Sequence, residues 1–125
     1  MSFKFSDLLG QVLTKVENID NEELVFTLSF GKKYRLYHEQ DCCERVYIED
    51  IVGSLVDLVG SPLLLVEEVS QSVNPDIGAV NENGESSTWT FYKLVTIKGG
   101  VTIRWYGESN GYYSERVDFG PVEKN

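Results

Sequence analysis

The chain has 125 residues, with eleven Lys and Arg against twenty Asp and Glu and a formal net charge of −9. That balance excludes a protein that gains affinity for a nucleic-acid polymer by neutralising phosphates with a basic surface. No stretch approaches the roughly 20 apolar residues needed to span a bilayer, and hydrophobic residues at 42% with aromatics at 12% exclude a disordered chain.

The length suits one ligand-binding domain over 1–125. Met1-Ser2-Phe3-Lys4-Phe5-Ser6 has neither the apolar segment nor the small-residue cleavage site of a signal peptide. The expectation is a soluble cytoplasmic domain.

Ser6 is placed to cap a short helix through Leu8 and Leu9, with Gly10 as its stop. Val12, Thr14 and Val16 then alternate like a strand, and Asn18 to Glu22 reads as a turn. Leu24, Phe26, Leu28 and Phe30 alternate with Val25, Thr27 and Ser29, which predicts a half-buried strand. Gly31-Lys32 turns the chain into a second strand, Lys33 to Glu39, closing a hairpin.

Arg45 to Ile51 is a further predicted strand, and Ser54 to Val59 carries the spacing of one or two helical turns before Gly60. The apolar run from Leu63 to Val66 reads as a buried strand continuing towards Val69. Turn formers crowd residues 70–87, the one long loop expected, and its length makes it a candidate lid.

Trp89–Ile97, Val101–Gly107 and Tyr112–Phe119 predict a C-terminal antiparallel meander. A three-residue turn at Lys98-Gly99-Gly100 sets Val95 opposite Ile103. Phe91 and Trp105 then share one face, while Tyr92, Leu94, Arg104 and Tyr106 share the other. The predicted fold is mainly β, of α+β type: an antiparallel sheet of hairpins, a C-terminal meander and two short helices.

The two cysteines are adjacent, Cys42 and Cys43, so the chain has no disulfide framework and its thiols are expected to be free. His38, Asp41, Cys42 and Cys43 lie too close together, with no second cluster, to match a zinc spacing, so no metal is expected. There is no Walker loop, dinucleotide-binding glycine fingerprint or nucleophile elbow. The acidic pairs Glu22-Glu23, Glu49-Asp50 and Glu67-Glu68 point to opposite faces if they lie on strands, so none forms a natural acid–base dyad.

Arg35, Arg104 and Arg116 each sit among tyrosines. Guanidinium groups beside aromatic rings suit a small molecule that carries a phosphate and a base, because arginine contacts phosphate bidentately and stacks on π-faces. The same residues also suit plain cross-strand pairs, such as Arg104 with Glu115.

Three segments carry a resemblance: Tyr37-His38-Glu39-Gln40-Asp41-Cys42-Cys43-Glu44 with Val46-Tyr47-Ile48-Glu49-Asp50-Ile51; Gly60-Ser61-Pro62; and Trp89-Thr90-Phe91-Tyr92-Lys93-Leu94 through Ile103-Arg104-Trp105-Tyr106 to Glu115. Together they span most of residues 34–119 and resemble a family of small bacteriophage and prophage proteins, the first family of Thoeris anti-defence proteins. The resemblance implies a sponge that binds cyclic ADP-ribose-type immune signals without cleaving them, some relatives also taking cyclic oligonucleotides. It implies no cofactor, no catalysis, no membrane and no nucleic-acid polymer. It also implies a homo-oligomer in the cytoplasm of an infected bacterial host, with pockets shared between subunits. The positions implied to hold adenine and phosphate are Arg35, Trp89, Phe91, Arg104 and Arg116, with Tyr106, Asn110 and His38 as further contacts.

Two other functions remain open from the residues. The net charge also suits an acidic inhibitor that mimics nucleic acid in the groove of a host defence nuclease. A small hydrolase pairing Cys42 or Cys43 with His38 is the third reading.

Overall fold

Alternating apolar and polar residues become strands in two antiparallel sheets in the computed structural model, which describes residues 3–72 and 86–122. The strands are β1 (Leu13–Ile19), β2 (Glu23–Leu28), β3 (Lys33–Tyr37), β4 (Arg45–Val52), β5 (Leu65–Gln71), β6 (Ser86–Thr96), β7 (Gly99–Ser109) and β8 (Asp118–Pro121). One sheet has the order β1-β2-β3-β8 and the other β4-β7-β6-β5. The mainly β antiparallel class is as expected. The two expected helices are each a single 3-10 turn, Phe5–Leu8 and Leu55–Leu58, and the described residues contain no α-helix.

Apolar side chains from both sheets meet in one core. Leu24, Phe26, Leu28 and Leu36 come from the first sheet, and Tyr92, Leu94, Ile103 and Trp105 from the second. Leu8 and Leu58, from the two 3-10 turns, close its ends and are fully buried. Burying such a side chain stabilises the fold by roughly 1.5–3 kcal/mol.

The β6–β7 hairpin corrects the expected register. Thr96 pairs with Gly99, so Tyr92 stands opposite Ile103 and Phe91 opposite Arg104. Ile97 and Lys98 form the turn, and Gly99 and Gly100 belong to the strand. A Cβ on Gly99 would stand 3.0 Å from the Asp57 carboxylate, and one on Gly100 would stand 3.2 Å from the Val95 side chain. The glycines therefore admit close neighbours rather than making the turn. The change reverses the faces of β6: Tyr92 and Leu94 join the core, while Trp89 and Phe91 move to the outer face with Arg104 and Tyr106.

The third strand of the meander is also corrected. Residues 110–117 run as irregular chain, held by local bonds from Gly111 N to Ser109 Oγ (3.0 Å), Tyr112 N to Asn110 Oδ1 (2.9 Å) and Arg116 N to Ser114 Oγ (3.2 Å). Such side-chain bonds compete with a strand ladder. The chain crosses to the other sheet, where β8 pairs with β3, placing Phe119 opposite Leu36. Of the long loop expected over 70–87, both ends are strand, and 73–85 lies outside the described residues.

Candidate functional site

The crossing to β8 opens a cleft of 810 Å³ walled by β3 and β8 of one sheet and by β5 and β6 of the other. That volume lies in the range of small-molecule sites, about 300–1,000 Å³. One wall is aromatic. Tyr34 stacks on Phe3 (4.3 Å between ring centres) and on Phe119 (5.6 Å), which also meet each other at 6.3 Å, and Phe5 meets Tyr92 edge-on at 4.8 Å. Sequence periodicity brings Tyr34 and Phe119 inward, and the extended start of the chain lays Phe3 across them.

Three cations line the same cleft: Lys4, Lys32 and Arg116. Lys32 Nζ lies 5.6 Å from the centre of the Tyr34 ring, so positive charge stands beside the aromatic wall. Among the described residues neither lysine has an ion-pair partner, whereas Arg116 is bound to Asp118 at 3.1 Å. The acids of the cleft are already engaged. Asp7 accepts from the Lys4 backbone N–H at 2.7 Å, and Glu68 accepts from the Tyr92 hydroxyl at 2.8 Å. Burial, with Glu68 beside it, pushes the Tyr92 hydroxyl far above the ordinary tyrosine range, so it remains a donor.

Of the seven residues expected to bind ligand, Arg116 alone lines this cleft. Trp89, Phe91, Arg104 and Tyr106 share the outer face of the second sheet, brought together by the corrected register. There Trp89 meets Tyr106 at 5.1 Å, and Tyr47 meets Tyr106 edge-on at 5.8 Å. Arg104 Nε donates to Glu49 Oε1, not to Glu115. The Trp89 Nε1–H is buried with no hydrogen-bond partner among the described residues. Burial holds the Tyr106 hydroxyl above its usual range, helped by its bond to Glu108 and opposed by Ser87.

Arg35 lies on the first sheet, clear of both groups. Its Nη1 donates to Glu23 at 2.9 Å and its guanidinium stacks 3.9 Å from the Tyr37 ring centre. The hydrogen bond to Glu23 raises its pKa further above the ordinary arginine value. Asn110 is exposed and lines a hollow of 270 Å³ beside Arg45 and Tyr113. The structure therefore distributes the seven residues over four places rather than one pocket.

His38 serves a different purpose from a ligand contact. Its Nε2 lies 2.7 Å from Glu44 Oε2 and its Nδ1 lies 2.7 Å from the Arg116 carbonyl oxygen. The Glu44 carboxylate also accepts from the backbone N–H groups of Asp41 (2.8 Å) and Cys42 (2.9 Å). The cysteines correct their expectation: Cys42 and Cys43 are joined in a disulfide, so neither presents a thiol to His38. No group of three or more metal-ligating side chains occurs among the described residues.

Lys4, Lys32, Tyr34 and Phe119 were missed as site residues. Only the aromatic at inward strand positions left a trace in the sequence; nothing local signals that residues 3–5, 32–34 and 116–121 converge. Comparison with curated proteins and with solved structures returned no match. One family model matches residues 6–119, which takes in β1 to β7 and the start of β8 but not Phe3, Lys4 or Phe5 of the cleft, and is described as a domain of unknown function, DUF7448. The chain belongs to the DUF7448 family.

Proposed function

We propose that this chain is a non-catalytic binding protein for a small anionic nucleotide of the cyclic ADP-ribose class, which it sequesters intact. The observation that carries the reading is the cleft in which stacked rings of Phe3, Tyr34 and Phe119 stand beside Lys4 and Lys32, neither of which has an ion-pair partner among the described residues. A ring wall takes a base by stacking, and ammonium groups without internal partners take phosphate. Arg116, tied to Asp118, borders the same space as a third cation.

The role of a phage anti-defence sponge comes from the resemblance in sequence, and the cleft is compatible with it. Retention at nanomolar concentration requires about 12 kcal/mol of net binding free energy. Stacking, desolvated ion pairs and a preorganised β-scaffold are a suitable source. Assembly into homo-oligomers in the host cytoplasm belongs to the same proposal. Val69, exposed opposite Phe91 on the outer face of the second sheet, and Val52 on the same sheet support a protein contact there.

The test is a mass balance. The purified chain is incubated with cyclic ADP-ribose isomers, linear ADP-ribose and ADP, freed of unbound nucleotide and heat-denatured. Intact nucleotide is expected in the supernatant. Recovery of none across the panel, or of a cleaved product, overturns the proposal.

A further inference from the structure

The inner face of the second sheet changes character abruptly beyond Tyr92. Along β6 the inward positions read Leu94, Tyr92, Thr90, Thr88, and along β5 they read Val66, Glu68, Ser70. Towards Thr96 this face carries apolar groups packed in the core, and towards Ser86 it carries hydroxyls and a carboxylate, with Glu68 and Ser70 exposed to solvent. A solvent-facing run of polar side chains on a sheet face belongs to a wet groove, not a core. Such a groove is present: a hollow of 330 Å³ borders Ser70, Thr88, Thr90 and Glu115. It shares Glu68, Arg116 and Val117 with the aromatic cleft, so the two are arms of one space.

The groove's hydrogen bonds fix what it offers a ligand. Thr88 Oγ1 donates to Glu115 Oε1 at 2.7 Å, and Ser109 Oγ donates to Glu115 Oε2 at 2.5 Å. Ser70 and Thr90 share one hydroxyl bond at 3.2 Å. A hydroxyl has one donor and two acceptor sites, and an ionised carboxylate only accepts. With Thr88 already donating, its free capacity is acceptor capacity, as is that of Glu68. The lysines stand in the other arm, while this one adds Glu115 to the Glu68 and Arg116 that both arms share. Without a lysine and with a second carboxylate, this arm is less suited to phosphate than the other and suits a neutral group rich in O–H donors.

We infer that this second arm is a ribose subsite, which selects ligands with a free 2′,3′-diol. The inference rests on the nucleotide reading of the aromatic arm and adds the sugar specificity of the same site. Diol hydroxyls donate to Thr88, Glu68 and the Ser70–Thr90 pair. The anionic groups of the ligand remain towards Lys4 and Lys32.

Thermal-shift titrations with ADP-ribose, ADP, 2′-deoxy-ADP and 3′-deoxy-ADP test this. The diol ligands are expected to bind about tenfold or more tightly than the deoxy forms. Ser70→Ala, at an exposed position, and the near-isosteric Thr90→Val each reduce that preference, leaving affinity for the deoxy forms unchanged. Equal binding of ribo and deoxy forms overturns the subsite and leaves the nucleotide reading intact. A ribo preference that survives both substitutions likewise overturns the assignment to this groove. Stabilisation by none of the four overturns the nucleotide reading itself, and the subsite with it.

Discussion

His38 Nε2 meets Glu44 Oε2 at 2.7 Å with the carboxylate side chain fully buried. The other ring nitrogen meets the Arg116 carbonyl at the same distance. Through its two ring nitrogens the imidazole ties residues 38–44 to residue 116. The hydrogen bond from His38, followed by those from the Cys42 and Asp41 backbones, lowers the Glu44 pKa from 4.5 to about 2, against the opposing effect of burial.

A carboxylate with a depressed folded-state pKa stabilises the fold above its unfolded value and loses that contribution as pH falls through the folded value. The melting temperature of the chain is therefore expected to fall as pH drops from 4.5 towards 2. Glu44→Gln lowers the melting temperature at pH 7 by several degrees, because a single amide oxygen cannot satisfy all three donors. It also flattens the acid limb. A variant as steep as the parent between those pH values would show that Glu44 is not the titrating group.

Gly53 has φ of +105°, and a Cβ built there overlaps the carbonyl oxygen of Gly100. Backbone in that region costs a non-glycine residue on the order of 1–3 kcal/mol, and the overlap adds to it. Gly10 has φ of +84° with nothing within 4 Å of an added Cβ. Gly53→Ala is thus expected to destabilise the chain by more than Gly10→Ala in urea unfolding. Equal effects would mean that the β4–β7 edge yields freely at Gly53.

Strand identity was largely legible because alternation is local. Leu24, Phe26 and Leu28 fall inward as the period-2 pattern requires. Register was not legible in the last hairpin, since Gly99-Gly100 resembles turn chemistry and the approach of Asp57 to Gly99 and of Val95 to Gly100, which explains glycine there, is tertiary. Tyr112–Phe119 alternates well enough to pass for a strand. Its path is set instead by the crossing to β3, a long-range event with no local marker.

The register yields its own test. Tyr92 is 1% exposed in the core, whereas Phe91 is half-buried on the outer face. Tyr92→Ala is expected to cost about 3–5 kcal/mol, as for other buried aromatics, and Phe91→Ala distinctly less. The slipped pairing with Phe91 in the core requires the opposite order. Tyr92→Phe, which removes only the hydroxyl bond to Glu68, costs about 1 kcal/mol.

The arginines were visible in the sequence as candidates, but their partners were not. Arg35 finds Glu23, Arg104 finds Glu49, and Arg116 finds Asp118. The cleft draws on three distant segments, and its lysines sit in stretches with no recognisable motif. A side chain's role here depends on which carboxylate the fold brings beside it, and that is tertiary information.

Substituting cations one at a time separates pairing from binding. Arg35→Ala removes a part-buried ion pair and a ring stack, so it is expected to cost about 1 kcal/mol of stability. It leaves nucleotide affinity unchanged, because Arg35 does not line the cleft. Lys4→Ala and Lys32→Ala are exposed changes without ion-pair loss, expected to alter stability by less than about 0.5 kcal/mol. Each nonetheless weakens ADP-ribose binding about tenfold, the equivalent of 1.4 kcal/mol, by removing a phosphate contact. Raising salt should erase most of that difference, since contacts at an open cleft are screened. If the two lysine variants bind as tightly as the parent while Arg35→Ala binds poorly, the ligand belongs beside Tyr37 rather than between the sheets.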